Sequence, residues 1–259
     1  MKTKYDKIIV LSLFDNNDRQ KFIAEQFNYF DLDFEFYYSI PFQNFKVNLP
    51  RGHWTNNGET YFNYDINDDE QQINKRSFSI FTTNYAIMKY IYKFGYNNVL
   101  LIEDDVHMLK DKDLMYEYLT NIPNDADVVR YGYCVPENFD NDFNKELIYD
   151  KLYFKDNSNP FNTYTGAQMY GILNRKTMEI YINEIEETLT GGDNISNIFV
   201  HNKYNLNIYY SLTNLALDVN SYNMLVNNNP LWIGYIPFNY KNVRKNINKY
   251  FNEEYFNNK

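Results

Sequence analysis

The stretch that most constrains this chain is Val99-Leu100-Leu101-Ile102-Glu103-Asp104-Asp105, four apolar residues running straight into three acids. A short continuous apolar run bounded by polar residues predicts a strand buried on both faces, hence a parallel α/β sheet. Open α/β sheets deliver functional side chains at the carboxyl ends of their strands. Three adjoining carboxylates there repel one another, and a divalent cation seated between them relieves that repulsion. Alternation along a strand puts Glu103 and Asp105 on one face; a turn beginning at Asp104 would instead pair Asp104 with Asp105.

The flanking pattern agrees with a parallel sheet. Ile8 to Leu13 predicts a second buried strand, and Asp15 to Asp18 supply capping residues for a helix start. Phe22, Ile23, Gln26, Phe27 and Phe30 then recur at helical spacing, and Phe34 to Ile40 predicts the next strand. Strand, helix and strand in the first forty residues form a βαβ opening. Residues 41–72 break the pattern with Pro41, Pro50, Gly52 and Gly58, and are expected to be an inserted loop or lid.

Ser77 to Phe94 predicts a helix stopped by Gly95, and Asp111 to Leu119 another. Asp127 to Tyr133 predicts a strand, and Leu147 to Phe154 a peripheral hairpin. Tyr164 to Leu173 begins with small residues and becomes an apolar strand; Asn174 and Arg175 lead into a helix with Met178, Ile182, Ile185 and Leu189 on its apolar side. Gly191 to Asn194 reads as a tight loop, Ile195 to Phe199 as helix, Leu206 to Leu212 as strand and Leu215 to Asp218 as extended chain. Val243, Ile247, Tyr250 and Phe251 have helical spacing. The expected organisation is one domain over residues 1–225 and a C-terminal extension over residues 226–259 that carries this helix.

The chain of 259 residues is long enough to bury a sizeable core. Its net charge of −9 argues against nucleic acid, which needs a basic face. Its single cysteine, Cys134, excludes an intrachain disulfide framework and fits a reducing compartment. No apolar run approaches the roughly 20 residues that span a bilayer. With no signal peptide read at the N-terminus, the expected setting is cytoplasmic, with a peripheral place at a membrane left open. The 27 Tyr and 20 Phe go with an AT-rich codon bias, so a surface tyrosine is not by itself a binding residue. No nucleophile elbow, phosphate-binding Gly-Lys-Ser loop, dinucleotide glycine fingerprint or His-Glu-x-x-His helix is present, which removes the commonest hydrolases, kinases and dehydrogenases. His107 and His201 are each candidates to complete a metal shell, against the commoner structural role of a lone histidine.

In combination these features resemble the lipopolysaccharide and procollagen galactosyltransferase family. That family opens with a strand ending in N-L-D-R-R-x-D-R; Ser12 to Arg19 stand in that place and keep Leu13, Asp18 and Arg19, with Asn16 and Asn17 in place of the arginine pair. Gly95 and the acids Glu103, Asp104 and Asp105 match well, whereas Thr83 and Asn84 replace a Ser-His pair. Thr165 to Tyr170 resembles a G-T-x-A-Y segment, Asp193 an Asp after the following helix, and Leu215 to Asp218 with Ser221 the final strand.

The resemblance implies a GT-A-like α/β fold with a mostly parallel central sheet and helices on both faces. It implies Mn2+ or Mg2+ on two of Glu103, Asp104 and Asp105, and nucleotide-sugar contacts from Ser12, Leu13, Asp18, Arg19, Asn84, Gly166, Ala167 and Gln168. Asp193 would be the general base of an inverting reaction. The implied activity moves a hexose, galactose or glucose first, from a UDP-sugar to a hydroxyl of a glycan or glycosylated acceptor. Two other readings stay open: a sugar nucleotidyltransferase, and a catalytically inactive glycosyltransferase-like protein that binds glycans or a partner.

Overall fold

The computed structural model describes residues 2–39, 41, 51–54, 60–63, 68–135, 152–155, 165–188, 200–201, 203–213, 215–218 and 233–234. The chain opens β1 (Lys7–Leu13), α1 (Asn17–Phe30), β2 (Glu35–Ser39), the predicted βαβ unit. A separate two-stranded hairpin follows, β3 (Arg51–Trp54) and β4 (Thr60–Asn63). Then come α2 (Asp68–Lys93), β5 (Asn98–Glu103), β6 (Val106–Met108), α3 (Lys112–Thr120) and β7 (Val128–Val135). The remaining elements are β8 (Tyr153–Lys155), β9 (Thr165–Leu173), α4 (Arg175–Thr188), β10 (Ile208–Ser211), β11 (Ala216–Asp218) and β12 (Ile233–Gly234).

The main sheet has the order β2-β1-β5-β9-β7-β10-β8, with β12 added on β7. Its pairings make β2, β1, β5, β7 and β10 run one way and β9, β8 and β12 the other. This is a mixed α/β fold with a mostly parallel central sheet, the expected class. One departure matters: β9 lies antiparallel between β5 and β7. The register pairs Ile102 with Met169, so residues 165–168 project beyond it toward the edge where β5 ends. A smaller departure concerns a boundary. The helix expected from Ser77 begins at Asp68, inside the expected loop. Of the expected peripheral hairpin, residues 147–151 lie outside the described residues, and its end forms β8, paired antiparallel with β10.

Helices cover both faces. On one, α1 and α3 bury Ile23, Phe27, Phe30, Met115 and Leu119 against Val10, Leu100 and Ile102. On the other, α2 and α4 bury Ile87, Ile91, Met178 and Ile182 against Ile9, Val99 and Leu101. This explains why β1 and β5 read as unbroken apolar runs: both sides of each strand are covered. Each fully buried aliphatic or aromatic side chain contributes about 1.5–3 kcal/mol. Several tyrosines belong to this core, their hydroxyls satisfied internally. Tyr5 Oη and Tyr131 Oη are 2.8 Å apart, and Tyr153 donates to the Tyr118 carbonyl. Burial pushes the Tyr5 and Tyr131 phenols well above their ordinary range.

A small antiparallel ribbon, β6 with β11, lies beside the main sheet and follows directly from the acidic turn. It sits close because Gly132 of β7 has no side chain: a Cβ there would be 2.9 Å from the Ala216 carbonyl oxygen. The other side of β6 is held by α1. Gln26 donates from Nε2 to the Val106 carbonyl at 2.9 Å and accepts from the Met108 amide at 2.7 Å. Among the described residues no helix is long and apolar enough to cross a membrane.

Candidate active site

β5 ends at Glu103, and Asp104 and Asp105 form the turn into β6. The Asp104 amide donates to the Leu11 carbonyl at 3.1 Å, which fastens this turn to the end of β1. Ser12, also buried, donates from Oγ to Asp104 Oδ2 at 2.6 Å. Arg19, in the first turns of α1, reaches back over the same edge. Its Nη1 lies 3.2 Å from Asp104 Oδ1 and 3.0 Å from Asp105 Oδ2. One cationic nitrogen therefore bridges two carboxylates. Side-chain exposure grades outward across the group, 9% for Asp104, 24% for Asp105 and 36% for Arg19. Asp104 is the anchored, desolvated member and Asp105 the more accessible one.

The backbone around this group is tied as well. The Leu13 carbonyl accepts from the Asn16 amide at 3.1 Å and from Gln20 Nε2 at 2.7 Å, closing the turn between β1 and α1. Asn16 occupies the N-cap position without a side-chain cap bond, so Gln20 supplies the side-chain closure instead. At the tip of that turn Phe14 is 75% exposed, with its ring 5.3 Å from that of half-exposed Tyr38 at the end of β2 in an edge-on contact. Exposed aromatic rings at the carboxyl edge of a sheet offer a flat apolar surface to a ligand ring. Sequence reasoning did not single out Phe14 or Tyr38. The available signal was an apolar residue placed inside a polar turn, masked by the abundance of aromatics elsewhere.

The other expected residues are distributed as follows. Glu103 is exposed and lies near Tyr170 of β9, whose phenol is pushed up by burial first and by the Glu103 charge second. The strand-end geometry thus joins Asp104 to Asp105 around Arg19 and sends Glu103 toward β9. Leu13 is exposed at the end of β1, and Asp18 is exposed in the first turn of α1. Asn84 stands on α2, which covers the opposite face from α1. Gly166, Ala167 and Gln168 lie in the first half of β9, and the antiparallel run of that strand carries them toward the edge where Asp104 and Asp105 sit. Asp193 and Ser221 lie outside the described residues, as does the segment expected to form a C-terminal helix.

Both candidate histidines, His107 and His201, are buried. His107 is buried on β6 with its ring centroid 4.6 Å from that of Phe22. His201 is buried against Tyr181, its Nε2 bonded to the Tyr181 hydroxyl; burial, then the nearby Arg130 charge, hold its pKa well below 6.5.

Among the described residues no group of three His, Cys, Asp or Glu is placed to hold a metal ion. Asp104 and Asp105 nevertheless offer the hard oxygen donors that a divalent cation takes. Arg19 is the stand-in that shows a single positive centre can serve both carboxylates at once.

No family model matches the chain, and no curated protein matches it. Among solved structures, one similar chain is described as a glycosyltransferase involved in the glycosylation of the major capsid of PBCV-1. The TM-score is 0.34 and the identity 11%, over 68% of this chain and 64% of that one, just under two thirds of its length. A likeness of this size does not extend to function.

Proposed function

We propose that the protein is a glycosyltransferase that uses a UDP-hexose donor, galactose or glucose, and transfers the sugar with inversion to a hydroxyl of a glycan or glycosylated acceptor. The observation that carries this reading is the convergence of Asp104 and Asp105 on one cation at the carboxyl edge of the sheet, beside Ser12 and the exposed Phe14–Tyr38 pair. The acids and the aromatic surface are the two complements that a metal-bound diphosphate and a base require.

Mn2+ or Mg2+, when bound, would supply Lewis-acid stabilisation of the departing diphosphate. Asp105, as the more accessible carboxylate, would hold it, and Asp104 would fix the turn through Ser12 and the Leu11 carbonyl. Arg19, released from the carboxylates, would pair with phosphate oxygens, a partner to which a guanidinium is well matched. Phe14 and Tyr38 would stack against the base. Gly166 and Ala167 would leave room for the sugar where β9 meets this edge. The acceptor hydroxyl would attack the anomeric carbon from the face opposite the diphosphate, its proton passing to Asp193, while the glycosidic oxygen leaves with UDP.

The test is thermal stabilisation of the purified protein by a panel of nucleotide sugars with and without MnCl2, followed by product analysis. UDP-hexoses should raise the melting temperature most when Mn2+ is present, and transfer or hydrolysis should release UDP. Release of pyrophosphate from a triphosphate would identify a nucleotidyltransferase instead. Indifference to every nucleotide sugar would discard the donor reading altogether.

A further inference from the structure

A pocket of about 280 Å3 opens between α1 and β6, away from the Phe14–Tyr38 surface. Its lining includes Glu25, Tyr29, Phe30, His107, Met108 and Lys110. The walls are already in place. Gln26 clamps β6 to α1 at both Val106 and Met108, and Tyr29 Oη donates to the Lys110 carbonyl at 2.9 Å. A prebuilt wall spares a ligand much of the ordering cost of binding.

The chemistry of the lining selects a class of ligand. Phe30 and Met108 give an apolar floor, and Tyr29 presents an exposed ring packed edge-on to Phe30. Glu25 and Lys110 bring opposite charges to the same pocket and form no ion pair with each other among the described residues. An anion would meet Glu25 and a cation would meet Lys110, so the balanced pair favours a neutral, polar occupant. A carboxylate accepts hydroxyl protons, an ammonium donates to hydroxyl oxygens, and an aromatic ring covers a C–H face. A pyranose ring offers all three features together. The volume is just below the roughly 300–1,000 Å3 of sites for drug-sized ligands, which suits one ring better than a nucleotide.

The position also suits an extended ligand. His107 and Met108 follow Asp105 by two and three residues, and Glu25 lies six residues beyond Arg19 on α1, about 9 Å along the helix axis. We infer that this pocket binds one neutral hexopyranose unit of a glycan, as an anchoring subsite remote from the reacting hydroxyl. Its assignment to the acceptor rests on the glycosyltransferase reading; its capacity to bind a sugar does not. Binding energy gathered at such a remote unit can be used to position the reacting end.

The experiment is methyl NMR on the full chain labelled with 13C-methyl methionine, the Met108 signal being assigned from its disappearance in Met108→Leu. Methyl glucoside, galactoside and mannoside are titrated to their solubility limits, with sodium phosphate and choline chloride as charged controls. At least one hexoside should shift the Met108 methyl saturably, and neither control should. Glu25→Gln and Tyr29→Ala, both at exposed positions, should weaken that binding on the order of tenfold for each interaction removed, with the other methionine signals unchanged. Absence of any hexoside-dependent shift, persistence of the shift in both variants, or an equal response to phosphate would overturn the assignment. Hexoside binding without stabilisation by UDP-sugars would retire the enzymatic reading alone, and the converse would retire the subsite alone.

Discussion

Replacement of Arg19 by methionine keeps most of the aliphatic stem and removes the cation that joins Asp104 to Asp105. Breaking a fully buried pair costs about 3–5 kcal/mol, because the remaining charge is stranded. Here Asp104 is buried, but Arg19 is 36% exposed and Asp105 24% exposed, so water replaces part of what is lost. Asp104 also keeps its bond from Ser12. The discounted cost is about 1–2 kcal/mol, which for a domain of this size corresponds to a fall in melting temperature of about 2–8 °C. Thermal denaturation of Arg19→Met, Asp104→Asn and the double variant, evaluated as a cycle, should give a coupling energy of about 1–2 kcal/mol. Divalent cations add a second readout. In the native chain an ion held by Asp105 would compete with a guanidinium, whereas in Arg19→Met it would not. MnCl2 should therefore raise the melting temperature of Arg19→Met more than that of the native chain, and Asp105→Asn should lose the response. A coupling energy near zero would show that the bridge contributes nothing to stability. An undiminished Mn2+ response in Asp105→Asn would show that the ion binds elsewhere.

Three further perturbations test other parts of the structure. His201 is held neutral in the folded chain, while the unfolded chain takes up a proton below about pH 6.5. Stability should therefore be full above that pH and fall as pH drops through it, by up to about 1.4 kcal/mol per pH unit. Urea midpoints at about pH 7.5 and about pH 5.5 should show this loss in the native chain and a smaller one in His201→Gln; equal losses would refute it. A Cβ at Gly171 would fall 2.0 Å from Tyr5 Oη and 2.7 Å from its ring, so Gly171→Ala should cost about 1–3 kcal/mol in urea unfolding, but little in a Tyr5→Leu background. Gln26→Leu strips partners from the Val106 carbonyl and the Met108 amide and should cost about 2–4 kcal/mol, with faster hydrogen exchange at Met108; a protected amide there would contradict the clamp.

Much of the scaffold was legible because local pattern and burial have the same cause. The run from Val99 to Ile102 is apolar throughout because helices cover both sides of β5, and Ile23, Phe27 and Phe30 recur at helical spacing because α1 has one face on that sheet. Gly95 ends α2 with φ +79°, the conformation for which a glycine stop is suited. The short β6 was not legible, since three residues carry no readable period; β11 was legible only as extended chain, because its pairing with β6 is nonlocal. Nor was the role of Gln26, whose place on an apolar helix face conceals two backbone bonds to a strand eighty residues away.

The acidic stretch shows where the division falls. The residue pattern alone determined that a buried strand delivers Glu103, Asp104 and Asp105 to one edge of an α/β sheet, because apolar runs and charge positions are local properties. It left two pairings of carboxylates open. Folding ends β5 at Glu103 and ties the Asp104 amide to Leu11, so that Asp104 and Asp105 share Arg19. Folding also set the direction of β9, which brings residues 165–168 toward the same edge. An apolar alternation reads alike in both directions, so strand polarity, and the company each carboxylate keeps, depend on contacts between segments distant in the chain.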